Sequence, residues 1–108
     1  MPADEAPDHV VLTTTAADRA EAGRLARLLI DQRLAACVQL LPIDSHYRWN
    51  GQIEQVSEIL LLIKTRGALS EPAMAAIKAA HSYETPEILV LPVTGGLPAY
   101  LAWIDGET

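Results

Sequence analysis

Residues 47–65 read YRWNGQIEQVSEILLLIKT, and the Asn50-Gly51 pair inside this stretch decides the fold. Asn-Gly is the dipeptide that best tolerates the two positive φ angles of a type I′ turn, the turn whose twist matches a β-hairpin. The runs on either side, AACVQLLPIDSHYRW (35–49) and QIEQVSEILLLIKT (52–65), are therefore two long antiparallel strands.

Working outward, HVVLTTT (9–15) is short and β-branched, which predicts a strand. It leads into AADRAEAGRLARLLIDQRL (16–34), where Ala22, Leu25, Ala26 and Leu29 share one helical face. Thr15 is the expected N-cap, with Asp18 near the positive end of the helix dipole. Beyond the hairpin, LSEPAMAAIKAAHS (69–82) reads as a second helix with Ser70 as its cap, Pro72 in its first turn, and Met74, Ile77 and His81 on one face. Pro86 stops that helix, and EILVLPV (87–93) is predicted as a buried strand ended by Gly95-Gly96. Leu97, Tyr100, Leu101 and Ile104 mark a short final helix that starts at Pro98.

The order β-α-β-β-α-β plus a terminal helix is that of an α+β, ferredoxin-like sandwich built from two split β-α-β units on one antiparallel sheet. Residues 1–8 carry two prolines and three acids without apolar periodicity and are expected to form a flexible tail. Residues 9–108 form a single domain.

Lengths carry the next step. Strands of about 14 residues would extend roughly 46 Å, whereas a first helix of about 18 residues covers about 27 Å. The hairpin must overhang its own core. Tyr47, Trp49, Ile53 and Val56 lie in the overhang, and Pro42 is expected to bend the first arm. Exposed apolar ribbons invite pairing, so a homo-oligomer assembled through the hairpin is expected.

Fourteen acidic against eight basic residues give a net charge of −6, which opposes binding to nucleic acid or to anionic membranes. No segment approaches the roughly 20 apolar residues of a membrane span. The lone Cys37 gives no internal disulfide and no cysteine-rich metal cage, and the acidic N-terminus does not look like a secretion signal. A cytoplasmic location is expected.

RLAACVQLLP (33–42), YRWNGQIEQVSEILLLIKT and HSYETPEILVLPV (81–93), in this order and spacing, resemble the divalent-cation tolerance (CutA) proteins from Val10 to Ile104. The resemblance implies a homotrimer with strands joining between subunits, no enzymatic reaction, and a role in tolerance of copper or other divalent metal ions. In bacterial members the ligands attributed to the metal are a cysteine ending the first strand and two adjacent histidines ending the second helix. The matching positions here are Thr14, Ala80 and His81, so one of the three donors is kept. A hydroxyl and a methyl do not replace a thiolate and an imidazole for copper.

The candidate metal donors are accordingly His81, Cys37 and Glu87. His81 also reads as a helix-end residue bonded to the last carbonyls, and Cys37 as a small apolar side chain at a strand entry. Glu54 and Glu58 point to one face about 13 Å apart, too far for a general acid–base pair. Trp49, Glu58, Lys64, Tyr83, Glu84 and Thr85 are expected to meet as a ligand cleft where one subunit's hairpin reaches another's helix-to-strand junction. The second functional reading is a small-ligand sensor like the PII signalling trimers, although no glycine-rich phosphate cradle is present. Acylphosphatases and RNA-recognition modules share the topology. TTTAAD supplies no phosphate-binding arginine, and the chain has no phenylalanine to stack on bases.

Overall fold

The computed structural model describes residues 7–108; the expected tail at 1–8 lies outside them up to residue 6. Pro7 and Asp8 are held: the Gly67 amide donates to the Asp8 carbonyl at 2.8 Å. A Cβ at Gly67 would fall 1.8 Å from the Pro7 carbonyl oxygen, so only glycine admits this approach.

The elements follow the expected order: β1 (His9–Ala16), α1 (Arg19–Asp31), β2 (Cys37–Trp49), β3 (Gln52–Arg66), α2 (Ser70–Ala80), β4 (Ile88–Pro92) and α3 (Pro98–Glu107), with a short 3-10 turn (Gly67–Leu69) before α2. The sheet is antiparallel in the order β2-β3-β1-β4. Asn50 and Gly51 have φ of 51° and 76°, the two positive values a type I′ turn demands, and Trp49 pairs with Gln52 to close it.

Alternation along the strands sorts the sheet into two faces. Val10, Leu12, Leu61 and Ile63 point toward the helices and meet Leu25, Leu29 and Ile77 in a core closed to solvent. Thr14 and Thr65 are buried in the same layer, and their hydroxyl oxygens have no hydrogen-bond partner among the described residues. The other face carries Leu41, Leu60, Leu62, Leu89 and Leu91, and only α3 crosses part of it. Ile104 is the one buried side chain of α3. Lys64 lies over the Tyr100 ring at 5.6 Å, and His9 and Asp105 join at 2.8 Å.

The hairpin does overhang the globule. β1 pairs with β3 only from Ile59 to Arg66, so Gln52–Glu58 and the matching part of β2 continue as a two-stranded ribbon. Seven residues of strand extend about 23 Å. Trp49 and Ile53 are 57% and 72% exposed on this ribbon.

Four local expectations are corrected. Pro42 makes no bend or bulge; it pairs with Ile59 in an unbroken register, because β2 is an edge strand where a missing N–H costs no ladder bond. The α1 cap is Asp18, not Thr15: Asp18 Oδ1 accepts from the Glu21 amide at 2.8 Å, while Thr15 remains in β1. Ser70 is the first helical residue of α2 and not its cap. β4 is not buried but an exposed edge, with Leu89 at 58%.

Candidate functional site

Two neighbouring structures occupy the junction between α2 and β4. The first is a buried polar lock. Glu21, 5% exposed in the first turn of α1, accepts at Oε1 from the Ser82 hydroxyl (2.8 Å) and the Ala17 amide (3.3 Å), and at Oε2 from the Ser82 amide (2.8 Å). Burial pushes its carboxyl up, but these three bonds outweigh burial and hold it below the ordinary 4.5.

His81 is fixed beside it with a fully buried side chain. Its Nε2–H donates to the Thr15 carbonyl at 2.7 Å, and Nδ1 accepts the Tyr83 amide at 3.1 Å. The ring bonds a strand carbonyl of β1, so its structural role differs from a cap on its own helix. With one nitrogen donating and the other accepting, no lone pair is left for a metal.

The second structure is an open cleft of about 600 Å³. Ser45, His46, Tyr47 and Trp49 of β2 and Glu58 of β3 form the hairpin wall, and Thr15 of β1 also lines the cleft. Tyr83, Glu84, Thr85 and Glu87 of the turn before β4 form the opposite wall. Lys78 steadies that turn by donating to the Glu84 carbonyl at 2.9 Å.

The Tyr83 hydroxyl spans the base of the cleft, donating to Glu58 Oε2 at 2.9 Å. Burial, then this bond and the charge of Glu58, push the phenol up to about 12. Glu58 is only 8% exposed, and the bond from Tyr83 is the one hydrogen bond its carboxylate receives among the described residues. No ion pair reaches it among those residues.

Five of the six expected cleft residues, Trp49, Glu58, Tyr83, Glu84 and Thr85, line this single-chain cavity, and Glu87 joins them. Lys64 does not. It sits beside Val11 and Cys37 in the sheet, six residues from Glu58 along β3, and faces α3. Cys37 is equally remote: it pairs with Lys64, whereas Thr15, the partner of His81, pairs with Leu60. Four rungs, about 13 Å, separate those positions along the strand. Sequence reasoning missed Glu21, Ser82, Thr15, Ser45, His46 and Tyr47 as members of these two structures. The spacing Asp18-x-x-Glu21 ahead of an apolar run is a capping-box pattern that marks Glu21.

Residues 10–107 match the model of the family described as CutA1 divalent ion tolerance protein. The chain belongs to this family. It is 48% identical over 101 residues to the divalent-cation tolerance protein CutA of Pectobacterium atrosepticum, covering 93% of this chain and 92% of that one. It is 41% identical to the chloroplastic protein CutA of Arabidopsis thaliana, with 92% of this chain aligned to 55% of that protein. Among solved structures, the periplasmic divalent cation tolerance protein CutA from Archaeoglobus fulgidus superposes with a TM-score of 0.90 at 39% identity, over 92% of this chain and 97% of that one.

The family description brings divalent ions with it, and the donors of one chain do not fit a resident metal site. His81 is saturated by its two bonds, Cys37 lies four rungs along the sheet from Thr15, and Glu87 lines the cleft without either of them. Among the described residues no three His, Cys, Asp or Glu side chains converge on a common point.

Proposed function

We propose that the protein is a non-catalytic homotrimer serving in tolerance of divalent cations, in which copper or another divalent ion is met only where donors from two subunits converge. Family membership supports the tolerance role. The trimer reading is carried by one observation: a ribbon with Tyr47, Trp49 and Ile53 exposed, continuous with a sheet face and a β4 edge on which Leu41, Leu89 and Leu91 are also uncovered. An apolar edge of this length is a pairing surface unless a partner covers it. The lone thiol Cys37 suits a reducing cytoplasm.

Sedimentation equilibrium at micromolar concentration tests the assembly, and a mass of three chains is expected. A stable monomer would overturn it. Copper and zinc titrations of the wild type and of His81→Ala test the metal reading, with equal affinity expected in both. One ion per chain that disappears in the variant would return His81 to the site.

A second reading, a small-ligand-binding trimer, is favoured by the cleft itself. Its volume of about 600 Å³ is that of a small-molecule site, and its polar and aromatic groups converge from two separate walls.

A further inference from the structure

We propose that the cleft between the hairpin and the turn before β4 binds a small organic cation, an amine or quaternary ammonium, with Glu58 as its counter-ion and Trp49 and Tyr47 as its aromatic wall. This rests on the small-ligand reading and names the class of ligand.

Three independent features of the cleft point to positive charge. The lining carries three carboxylates, Glu58, Glu84 and Glu87, and no lysine or arginine; His46 is its one basic side chain. An anionic ligand such as a nucleotide would meet carboxylates with no cation to compensate.

The second feature is Glu58 alone. A carboxylate more than nine-tenths buried is costly without a cationic partner, and none lies within salt-bridge distance among the described residues. The Tyr83 hydroxyl satisfies one oxygen with a neutral donor, which leaves the charge itself unbalanced. Tyr83 keeps its proton to about 12, so it stays a donor through the physiological range and never adds a second negative charge.

The third is the aromatic wall. Tyr47 and Trp49 are 44% and 57% exposed, and both border the cavity. Along the hairpin Tyr47 lies opposite Glu54 and Trp49 opposite Gln52, about 13 and about 20 Å of strand from Glu58, so the rings form the outer part of the cleft and serve a ligand that extends from the carboxylate along it. Aromatic faces attract ammonium groups through the ring quadrupole, most strongly at Trp. A bare divalent ion would gain nothing from these rings, because it needs several oxygen or nitrogen donors at close range, and the described residues bring no three together. An ammonium group on a carbon skeleton uses charge and aromatic surface at once.

The test is calorimetric titration of the full chain, in its native oligomeric state, with putrescine and with tetramethylammonium. Butanediol serves as the neutral counterpart, and ATP and zinc as an anion and a metal ion. At least one amine is expected to saturate at one per chain with Kd below roughly 1 mM, and butanediol to bind about tenfold more weakly or not at all. Glu58→Gln, which keeps an acceptor for Tyr83, should weaken the amine about tenfold. Trp49→Leu, which lies outside the buried core and keeps an apolar side chain on the ribbon, should weaken it several-fold with the sedimentation mass of the wild type retained, and carries the test if Glu58→Gln fails to fold. In a Trp103→Phe background Trp49 is the sole tryptophan, and its fluorescence should change on binding.

Saturation by ATP or butanediol with neither amine binding by roughly 10 mM would refute the cation and leave the small-ligand reading standing. Binding by none of the probes would refute both. Amine binding unaffected by Glu58→Gln and Trp49→Leu would place the ligand elsewhere and overturn the proposal.

Discussion

Replacing Glu21 by Gln tests the idea that one buried carboxylate ties the start of α1 to the end of α2. The native carboxylate accepts the Ser82 hydroxyl and amide at 2.8 Å each and the Ala17 amide at 3.3 Å. Bonds to a charged acceptor contribute about 1.5–3 kcal/mol and neutral ones about 1. Gln can keep both Ser82 contacts, with the hydroxyl turned to accept, but each loses roughly 1 kcal/mol and the Ala17 amide faces an NH₂. The variant should be roughly 2 kcal/mol less stable at neutral pH, a fall of about 10 °C in Tm for a domain of this size. The effect must also depend on pH. The folded carboxyl sits below its ordinary 4.5, so between the two values the unfolded chain binds more protons than the native one. This contribution is complete above the unfolded value and is lost as pH falls through the folded one. Urea unfolding of both proteins at one fixed concentration, from about pH 7 to about pH 3, should therefore show the stability gap narrowing below 4.5. A gap that stays constant across this range, or a variant as stable as the wild type at pH 7, would refute the reasoning.

Thr65→Val removes a buried hydroxyl that has no partner among the described residues and keeps the side chain's shape; it should raise stability by about 1 kcal/mol, read as a higher urea midpoint with an unchanged slope. Gly51→Ala forces a side chain into φ of 76° and should cost about 1 kcal/mol, read as a lower Tm with the strand content intact. One tyrosine should ionise near 12 in a near-ultraviolet alkaline titration; Tyr83→Phe should abolish that step, and Glu58→Gln should bring it back toward 10.0. A late step that survives Tyr83→Phe would assign the raised phenol to another residue.

How far the fold could be read in advance followed from how local each cause is. The hairpin depends on two φ angles at Asn50 and Gly51 and on period-two alternation in the strands that leave it, so it was legible, and its overhang followed from length alone. The cleft was legible in part, since Tyr83, Glu84, Thr85 and Glu87 are neighbours in sequence, and Glu58 and Trp49 lie on one face of the hairpin. Lys64 was misplaced for a reason of direction: it shares the face of Glu58 but lies six residues along β3 away from the hairpin tip, where it meets Tyr100 of α3, whereas the cleft extends toward the tip. Capping failed at Thr15 because β1 runs on to Ala16, and a hydroxyl inside a strand cannot turn to face the next helix. The β4 error has a more general cause. An apolar run states that a segment leaves water without stating whether its own chain or another copy covers it, so ILVLP reads as core even where a single chain leaves it open.

That ambiguity also explains why lock and cleft stand side by side. The lock consumes every polar group it contains: Glu21, Ser82 and both nitrogens of His81 are bonded, and the turn after α2 is thereby held in place. The cleft does the opposite, exposing aromatic faces and leaving the Glu58 charge without a counter-ion among the described residues. Rigid support behind an unsatisfied surface is what a binding site requires, because the support removes the entropy cost of ordering the site when a ligand arrives. Tyr47 and Trp49 belong both to the cleft wall and to the ribbon that overhangs the globule. In the trimer proposed above, whatever packs against the ribbon also bounds the cleft, so ligand affinity and subunit association draw on the same side chains. Linkage then makes the coupling reciprocal: a ligand that prefers the assembled cleft stabilises the assembly by the same factor by which assembly raises its affinity.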